Sequence, residues 1–396
     1  MLLTAPLGFN IDTFVLLLNL TVFRPLLSLS YLLLYVSWRR GIFDVPPIFD
    51  DWFQSHQSVA WSLAIFSLSV VTFNLSNYLS YWVSNRSSLA PLRSKADWNR
   101  ELVVITGGAS GIGAQLAQRC AQRGCKVVTL DVRPSSSSNP SSSSQPGRGG
   151  HHGRHPETDG KRGSDDPSTS SPPSPLHPNI HPYICDVSKR DQVIQVSEVI
   201  LSRFGTPPTI LINNAGTFNR GKLVTEIDQN ELSNVMGVNL LSNFWTLQSF
   251  LPAMIRLGRG HVVTVSSVMA HFGVSRMTDY VSTKHALVGL HESLRLELDK
   301  KFQTPNVRTT LVVLGHVKTR LFTGMRFNPL ANFLAPSVEV DLVAESILQS
   351  LERRENSVVY LPFYSRWVVL LKVVPIWLRD LIQIVMGADE SLPSKD

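Results

Sequence analysis

The chain has 396 residues, a net charge of +7 and 43% hydrophobic residues, so it is long enough to build a full hydrophobic core. The positive balance would suit nucleic acid or an anionic membrane surface. No lysine/arginine stripe interleaved with aromatics occurs, which sets nucleic acid aside and leaves the membrane.

Residues 14–38 form the first long apolar stretch, interrupted at Arg24-Pro25. That break points to a kinked span or a hairpin. Residues 59–83 form the second, 25 residues without a charge. As a helix it would be roughly 37 Å long, against a hydrocarbon core of about 30 Å. The competing reading is two buried core helices, yet core helices seldom run so far without a charge. Residues 1–95 are therefore read as membrane-anchoring segments and linker. Arg86, Arg93, Lys95 and Arg100 follow the second stretch and place the remainder of the chain in the cytosol. Arg39 and Arg40 follow the first, so a single span or a monotopic hairpin satisfies both clusters.

From Glu101 the pattern becomes strand, glycine-rich turn, helix, strand: "ELVVITGGASGIGAQLAQRCAQRGCKVVTLDV". Gly107, Gly111 and Gly113 allow a tight turn and bring backbone amides close to a pyrophosphate at a helix N-terminus. Asp131 ends the second strand, where a carboxylate can accept both hydroxyls of an adenosine ribose. The same carboxylate would repel the 2′-phosphate of NADP, so NAD is favoured, with Arg133 able to reverse that preference. Cys120, Cys125 and Cys185 have no metal-ligand spacing and read as reduced cytosolic thiols.

Residues 134–178 are rich in serine, proline and glycine, and Leu176 is their only strongly apolar residue. Such a stretch cannot bury enough surface to order itself and reads as a disordered insertion between strands two and three. His151, His152 and His155 belong to that tract and are read as solvated, not as a metal site. Beyond it, strands at 181–187, 208–216, 260–267, 307–315 and 356–362 alternate with helices at about 228–257, 278–302 and 337–354. The alternation predicts an α/β fold, a Rossmann-type doubly wound parallel sheet with its ligand crevice at the strand C-termini.

The motifs "TGGASGIG", "NNAG", "VSS" and "YVSTK" occur in that order. Together they resemble the short-chain dehydrogenase/reductase superfamily over residues 101–362, outside the insertion. With its apolar N-terminus and tail, the chain is similar to the membrane-associated retinol and 17β-hydroxysteroid dehydrogenase branch. The resemblance implies an oxidoreductase using NAD or NADP on a lipophilic alcohol or carbonyl. It also implies a homodimer at the endoplasmic reticulum or a lipid droplet. Tyr280 would be the acid/base, and Lys284, four residues on along the helix, would bring the phenol toward working pH. Ser267 would hydrogen-bond the substrate oxygen, and Asn239 would position a relay water near Lys284. The cofactor would contact Gly107, Ser110, Gly111, Ile112, Gly113, Asp131, Asp186, Val187, Asn213, Ala215, Gly216, Tyr280 and Lys284. Val317 and Thr319 would hold its carboxamide. Leu314 departs from the family, which has proline before Gly315. Thr283 and His271 also depart, from serine and glycine.

The tail, residues 363–396, is apolar but interrupted by Lys372, Arg379 and Asp380, and is expected to lie at the interface with Trp367 and Trp377 at headgroup level. The alternative reading from another class is a lipid-surface interaction protein whose dehydrogenase fold has lost useful turnover.

Overall fold

The computed structural model describes residues 30–33, 35–36, 57–85, 95–133, 176–219, 221–387 and 389. Seven parallel strands form one sheet in the order β3-β2-β1-β4-β5-β6-β7. They are β1 (Leu102–Thr106), β2 (Lys126–Asp131), β3 (Ile180–Ile184), β4 (Ile210–Asn213), β5 (Gly260–Ser267), β6 (Val307–Leu314) and β7 (Ser357–Leu361). The order reverses between β1 and β4, the position at which doubly wound sheets open a ligand crevice.

Every residue of β1 and β6 is buried, which explains why both read as unbroken apolar or threonine-rich runs. Alternation along β1 divides the core in two. Val103 and Ile105 join Leu116, Cys120 and Ile347, from α2 (Gly111–Arg123) and a later helix, residues 340–353. Leu102 and Val104 join Val193, Phe250, Met254 and Leu294 on the opposite face. Those side chains come from α3 (Arg190–Phe204), α5 (Ser242–Leu257) and α6 (Thr278–Lys300). The three cysteines are free and buried, and burial pushes the Cys185 thiol up to about 11.

The single helix expected over 228–257 is divided. An Asp228 capping box starts α4 (Gln229–Met236), a π-turn follows at Gly237–Leu241, and α5 then resumes the regular pitch. A π-turn inserts one residue into the helical repeat and commonly marks a functional position; here it carries Asn239. At the other side of the insertion, Leu176 packs against the first core cluster. The described residues begin again at Leu176, inside the 134–178 stretch drawn from composition; residues 134–175 lie outside the described residues.

Helix α1 (Gln57–Ser84) contains a 26-residue stretch, Val59–Ser84, with mean hydropathy 1.6, long and apolar enough to cross a membrane. Only 22% of its most apolar window is buried, unlike a core helix. Trp61, Ile65, Tyr78 and Trp82 all point outward. Its C-terminal end is tied to the domain: Tyr81 donates to Glu355 at 2.7 Å, and Asn85 and Asn356 exchange backbone and amide hydrogen bonds. Phe73 stacks on Trp367 at 6.0 Å. Of the first apolar stretch only residues 30–33 and 35–36 are described; they are helical, and Tyr35 packs with Ala60 and Ala64.

After β6 come α7 (Pro329–Leu334) and α8 (Val340–Arg353), the helix that shares the first core cluster. After β7 two 3₁₀ turns, Phe363–Arg366 and Val368–Lys372, lead to α9 (Ile376–Met386), in which Ile376, Trp377, Leu381, Ile384 and Val385 are exposed and Leu378, Ile382 and Met386 half-buried.

Candidate active site

The glycine loop links β1 to α2 at the crevice. Gly107 has φ 66°, and a Cβ there would lie 2.9 Å from Ala215 Cα, so only glycine fits. A Cβ on Gly113 would lie 2.2 Å from the Gly107 carbonyl oxygen. The loop is braced from β4: Asn214 Nδ2 donates to the Thr106 and Gly107 carbonyls, and the Asn214 and Ala215 amides donate to Thr106 Oγ1. No acidic side chain occupies the first turn of α2, which leaves its positive end available to an anion. Ser110 caps that helix without a side-chain capping bond, and its hydroxyl accepts from Arg133 Nη2. Ile112 lies one residue into the same turn and is half-buried against the core.

Asp131 is buried at the end of β2. One carboxylate oxygen accepts from the Ala109 amide at 3.0 Å and the other from the Arg133 amide at 3.1 Å. The carboxylate is thus fixed beside the loop it was expected to serve. Asp186 accepts from the Ser188 amide and hydroxyl, whereas the Val187 side chain lies in the core. Asn213 is also turned inward, accepting from Thr246 Oγ1 at 2.8 Å. The expected adenosine-side positions are therefore brought to one rim, but Asn213 and Val187 support it from behind.

The expected quartet gathers where β5, α6 and the π-turn meet. Ser267 ends β5 and hydrogen-bonds the Tyr280 phenol. Lys284, one turn along α6, donates to the Val265 carbonyl at 3.2 Å and lies 5.4 Å from the Tyr280 ring centroid. Asn239 is fully buried; its Oδ1 accepts from the Thr217 amide at 2.7 Å, and its Nδ2 donates to the Thr217 carbonyl and to Thr283 Oγ1. Asn239 sits beside Lys284, as expected, but its amide joins the 213–219 loop to α6. A Cβ on Gly216 would lie 3.8 Å from Asn239 Oδ1 and 4.0 Å from Lys284 Nζ, so Gly216 opens this corner.

Burial dominates the electrostatics. It pushes the Tyr280 phenol well above its ordinary value, with the Ser267 hydrogen bond opposing, and it lowers Lys284 to about 8. The expectation that Lys284 brings the phenol down is not what this closed arrangement shows. The spacing along α6 is as expected, but the desolvation of both groups was invisible in the sequence.

On the far side of the crevice, Thr319 approaches the loop: its Cγ2 is 3.8 Å from a Cβ placed on Gly111. Val317 pairs with Val338 and is buried, and its carbonyl accepts from the Thr319 amide at 2.7 Å. Leu314 remains in strand register with Leu361, and the Gly315 amide donates to Leu361 at 2.7 Å. Leucine in place of proline thus continues the strand. A Cβ on Gly315 would meet Tyr364 Oη at 2.3 Å. Phe218, Met269, Phe272, Val274, Met277, Phe322 and Met325 surround Tyr280. Phe218 and Phe322 stand edge-on to its ring at 6.1 and 5.7 Å.

Several contributors are not among the expected site residues, although Thr106 and Gly108 lie inside the TGGASGIG motif. Thr106 and Gly108 precede and enter the loop, and a Cβ on Gly108 would lie 2.5 Å from Thr129 Cβ. Asp279, 4% exposed, accepts from Asn219 Nδ2 at 2.7 Å and from the Tyr280 amide, tying the Phe218 loop to α6. A carboxylate immediately before the tyrosine was the available signal.

The model of the short chain dehydrogenase family matches residues 101–145 and 173–328. The chain is 35% identical to dehydrogenase RED2 of Cochliobolus heterostrophus over 250 residues, covering 63% of this chain and 80% of that protein. It is 33% identical to retinol dehydrogenase 10-B of Danio rerio over 237 residues, 60% of this chain and 67% of the relative. The structure of 3-ketoacyl-(acyl-carrier-protein) reductase from Brucella melitensis complexed with NADH aligns at TM-score 0.50 and 18% identity. That alignment covers 66% of this chain and 96% of the reductase and shows the shared fold. The chain belongs to the short-chain dehydrogenase family and is an oxidoreductase.

Proposed function

We propose that this oxidoreductase interconverts a lipophilic alcohol and its aldehyde or ketone at a membrane surface, with the catalytic domain in the cytosol. The observation that carries the reading is the shell of phenylalanine, methionine and valine side chains packed around Tyr280 and next to Ser267. A polar substrate would lose hydration there without compensation. The exposed apolar α1 supports the membrane, and the arginines after it, Arg86 and Arg93, support the cytosolic orientation. The endoplasmic reticulum or a lipid droplet, and a homodimer, complete the proposal.

In this reading Ser267 donates to the substrate oxygen and Tyr280 moves its proton. Lys284 supplies positive charge beside the nicotinamide ribose, Asn239 holds the Thr217 loop against α6, and the cofactor supplies hydride exchange. Tyr280→Phe should lower kcat about 10²–10⁴-fold while NAD(H) affinity stays near wild type. A panel of long-chain and polycyclic alcohols, assayed against short polar ones, is the direct test. A wild-type chain that binds lipid and cofactor but turns over none of them would favour the lipid-surface protein instead.

A further inference from the structure

None of the residues of α9 is buried, although the helix is apolar. Ile376 and Trp377 are each 67% exposed and Ile384 75%; with Leu381 they form one outward stripe, and Val373, just before the helix, is 79% exposed. An isolated helix of this length is marginal in water; Leu378, Ile382 and Met386 are only half-buried on its inner side, and polar ties add to that packing. Gln383 Nε2 donates to the Gly273 carbonyl at 2.8 Å, Asn328 Nδ2 donates to the Val385 carbonyl at 3.1 Å, and Asp389 Oδ1 accepts from the Ser275 amide at 2.9 Å.

The far ends of those ties are on the two walls around Tyr280. Gly273 and Ser275 belong to the segment between Ser267 and Tyr280, which supplies Phe272, Val274 and Met277 to the apolar shell. Asn328 caps α7 and ends the loop that supplies Phe322 and Met325. Helix α9 is therefore a strap across both walls of the substrate pocket, with an uncovered apolar back.

We propose that a phospholipid surface covers the back of α9 and, through this strap, sets the geometry of the pocket, so that the enzyme is most active at the lipid interface. The proposal rests on the membrane-associated, lipophilic-substrate reading above. Two observations select lipid. The stripe continues through Trp367 to Phe73 and the outward apolar face of α1. The exposed Arg366 and Lys372 flank it, as suits an anionic headgroup layer.

The test uses the full-length chain with phosphatidylcholine/phosphatidylserine vesicles. Brominated acyl chains should quench a component of the tryptophan fluorescence that disappears in Trp377→Phe. Vesicles should slow amide exchange in residues 268–277 and 318–328. Trp377→Ser/Ile384→Ser should lose both effects, and its kcat/KM for a vesicle-borne long-chain alcohol should fall about tenfold, while NAD(H) affinity stays constant. Gln383→Ala should keep the quenching but lose the protection of 268–277. Absence of quenching at Trp377, or exchange that vesicles leave unchanged in the wild type, overturns the proposal. So does a dimer or larger assembly in detergent that the double serine variant dissociates, since a second copy would then cover the stripe. If the lipid effects on exchange appear but no lipophilic alcohol is turned over, the substrate reading fails and the strap stands. If turnover is present and indifferent to the variants, the strap fails alone.

Discussion

The two ends of the sheet both bury charge, and they surround it differently. At the end where the strands begin, the Glu101 carboxylate is 3% exposed and meets the guanidinium groups of Arg259 and Arg354. His261, beside them, shares a hydrogen bond with Thr310, which in turn meets Ser350 and Ser357. At the end where the strands finish, Lys284 is as deeply buried, yet among the described residues its ammonium meets a backbone carbonyl and the Tyr280 ring face and no carboxylate. A buried charge with matched counter-charges secures packing. A buried charge held by dipoles alone is costly, shifts its pKa and remains able to act on something that enters.

Removing each charge should break the comparison in opposite ways. Lys284→Met should lower kcat about 10²–10³-fold, the range for loss of a preorganised electrostatic group, and leave thermal stability unchanged or raised. Burial lowers the Lys284 pKa to about 8, so its ammonium is present below that pH and lost above it. Carbonyl reduction by the wild type should accordingly decline as pH rises through about 8, and the methionine variant should lack that decline. A Lys284→Met chain that melts many degrees lower would assign the lysine to packing.

Glu101→Leu should do the reverse. It strands two guanidinium groups, a loss of about 3–5 kcal/mol where a pair is fully buried. Arg259 is 39% exposed, so solvent screens part of this, and about 2–3 kcal/mol is expected, roughly 4–10 °C in Tm for a domain of this size. Its kcat should match the wild type. A Glu101→Leu enzyme that keeps its Tm but loses turnover would erase the distinction between the two ends.

Titration sharpens the same contrast. Burial lowers His261 to about 3 and His291 to about 4, and neighbouring arginines add to both effects. Below the unfolded value of about 6.5 the unfolded chain binds protons that the folded chain refuses, so stability is lost as pH falls from there toward 4. Between pH 7 and 5.5 the loss should be about 2–3 kcal/mol for the two imidazoles together, read from urea midpoints. His261→Gln should flatten the slope. Midpoints that do not move over that interval would show that both imidazoles charge inside the fold.

Much of this architecture is legible in the amino-acid order alone. The glycine loop, Asp131 and the Ser267/Tyr280/Lys284 spacing are local patterns, and each lands at the crevice because parallel strands finish at one edge. The π-turn at Asn239 is not legible, because inserting one residue into a helix leaves the composition of 228–257 unchanged. Nor is the Thr106–Asn214 brace, whose partners are 108 residues apart. The raised Tyr280 pKa has the same origin: helical spacing places Lys284, while desolvation comes from Phe218 and Phe322 on other loops. The tail's interfacial character follows from its pattern, but its ties to Gly273 and Asn328 depend on tertiary contact alone.

The smallest expected effect concerns Asp131, which combines both kinds of environment. It is buried like Glu101, and Arg133 Nε lies 3.8 Å away, but its oxygens are held by the Ala109 and Arg133 amides and its guanidinium partner is 65% exposed. The arginine is therefore free to turn toward Ser110, whose hydroxyl it already contacts. We propose NAD as the favoured cofactor, because a 2′-phosphate would meet the carboxylate first. Asp131→Ala should weaken NAD about tenfold, the worth of one net hydrogen bond to a charged group, and bring NADP to similar or better affinity through Arg133. Arg133→Ala in the same background should then remove the gain. Isothermal titration of the wild type and both variants with each cofactor measures the six constants. A wild-type chain that already prefers NADP would place Arg133, not Asp131, in control of this end of the crevice.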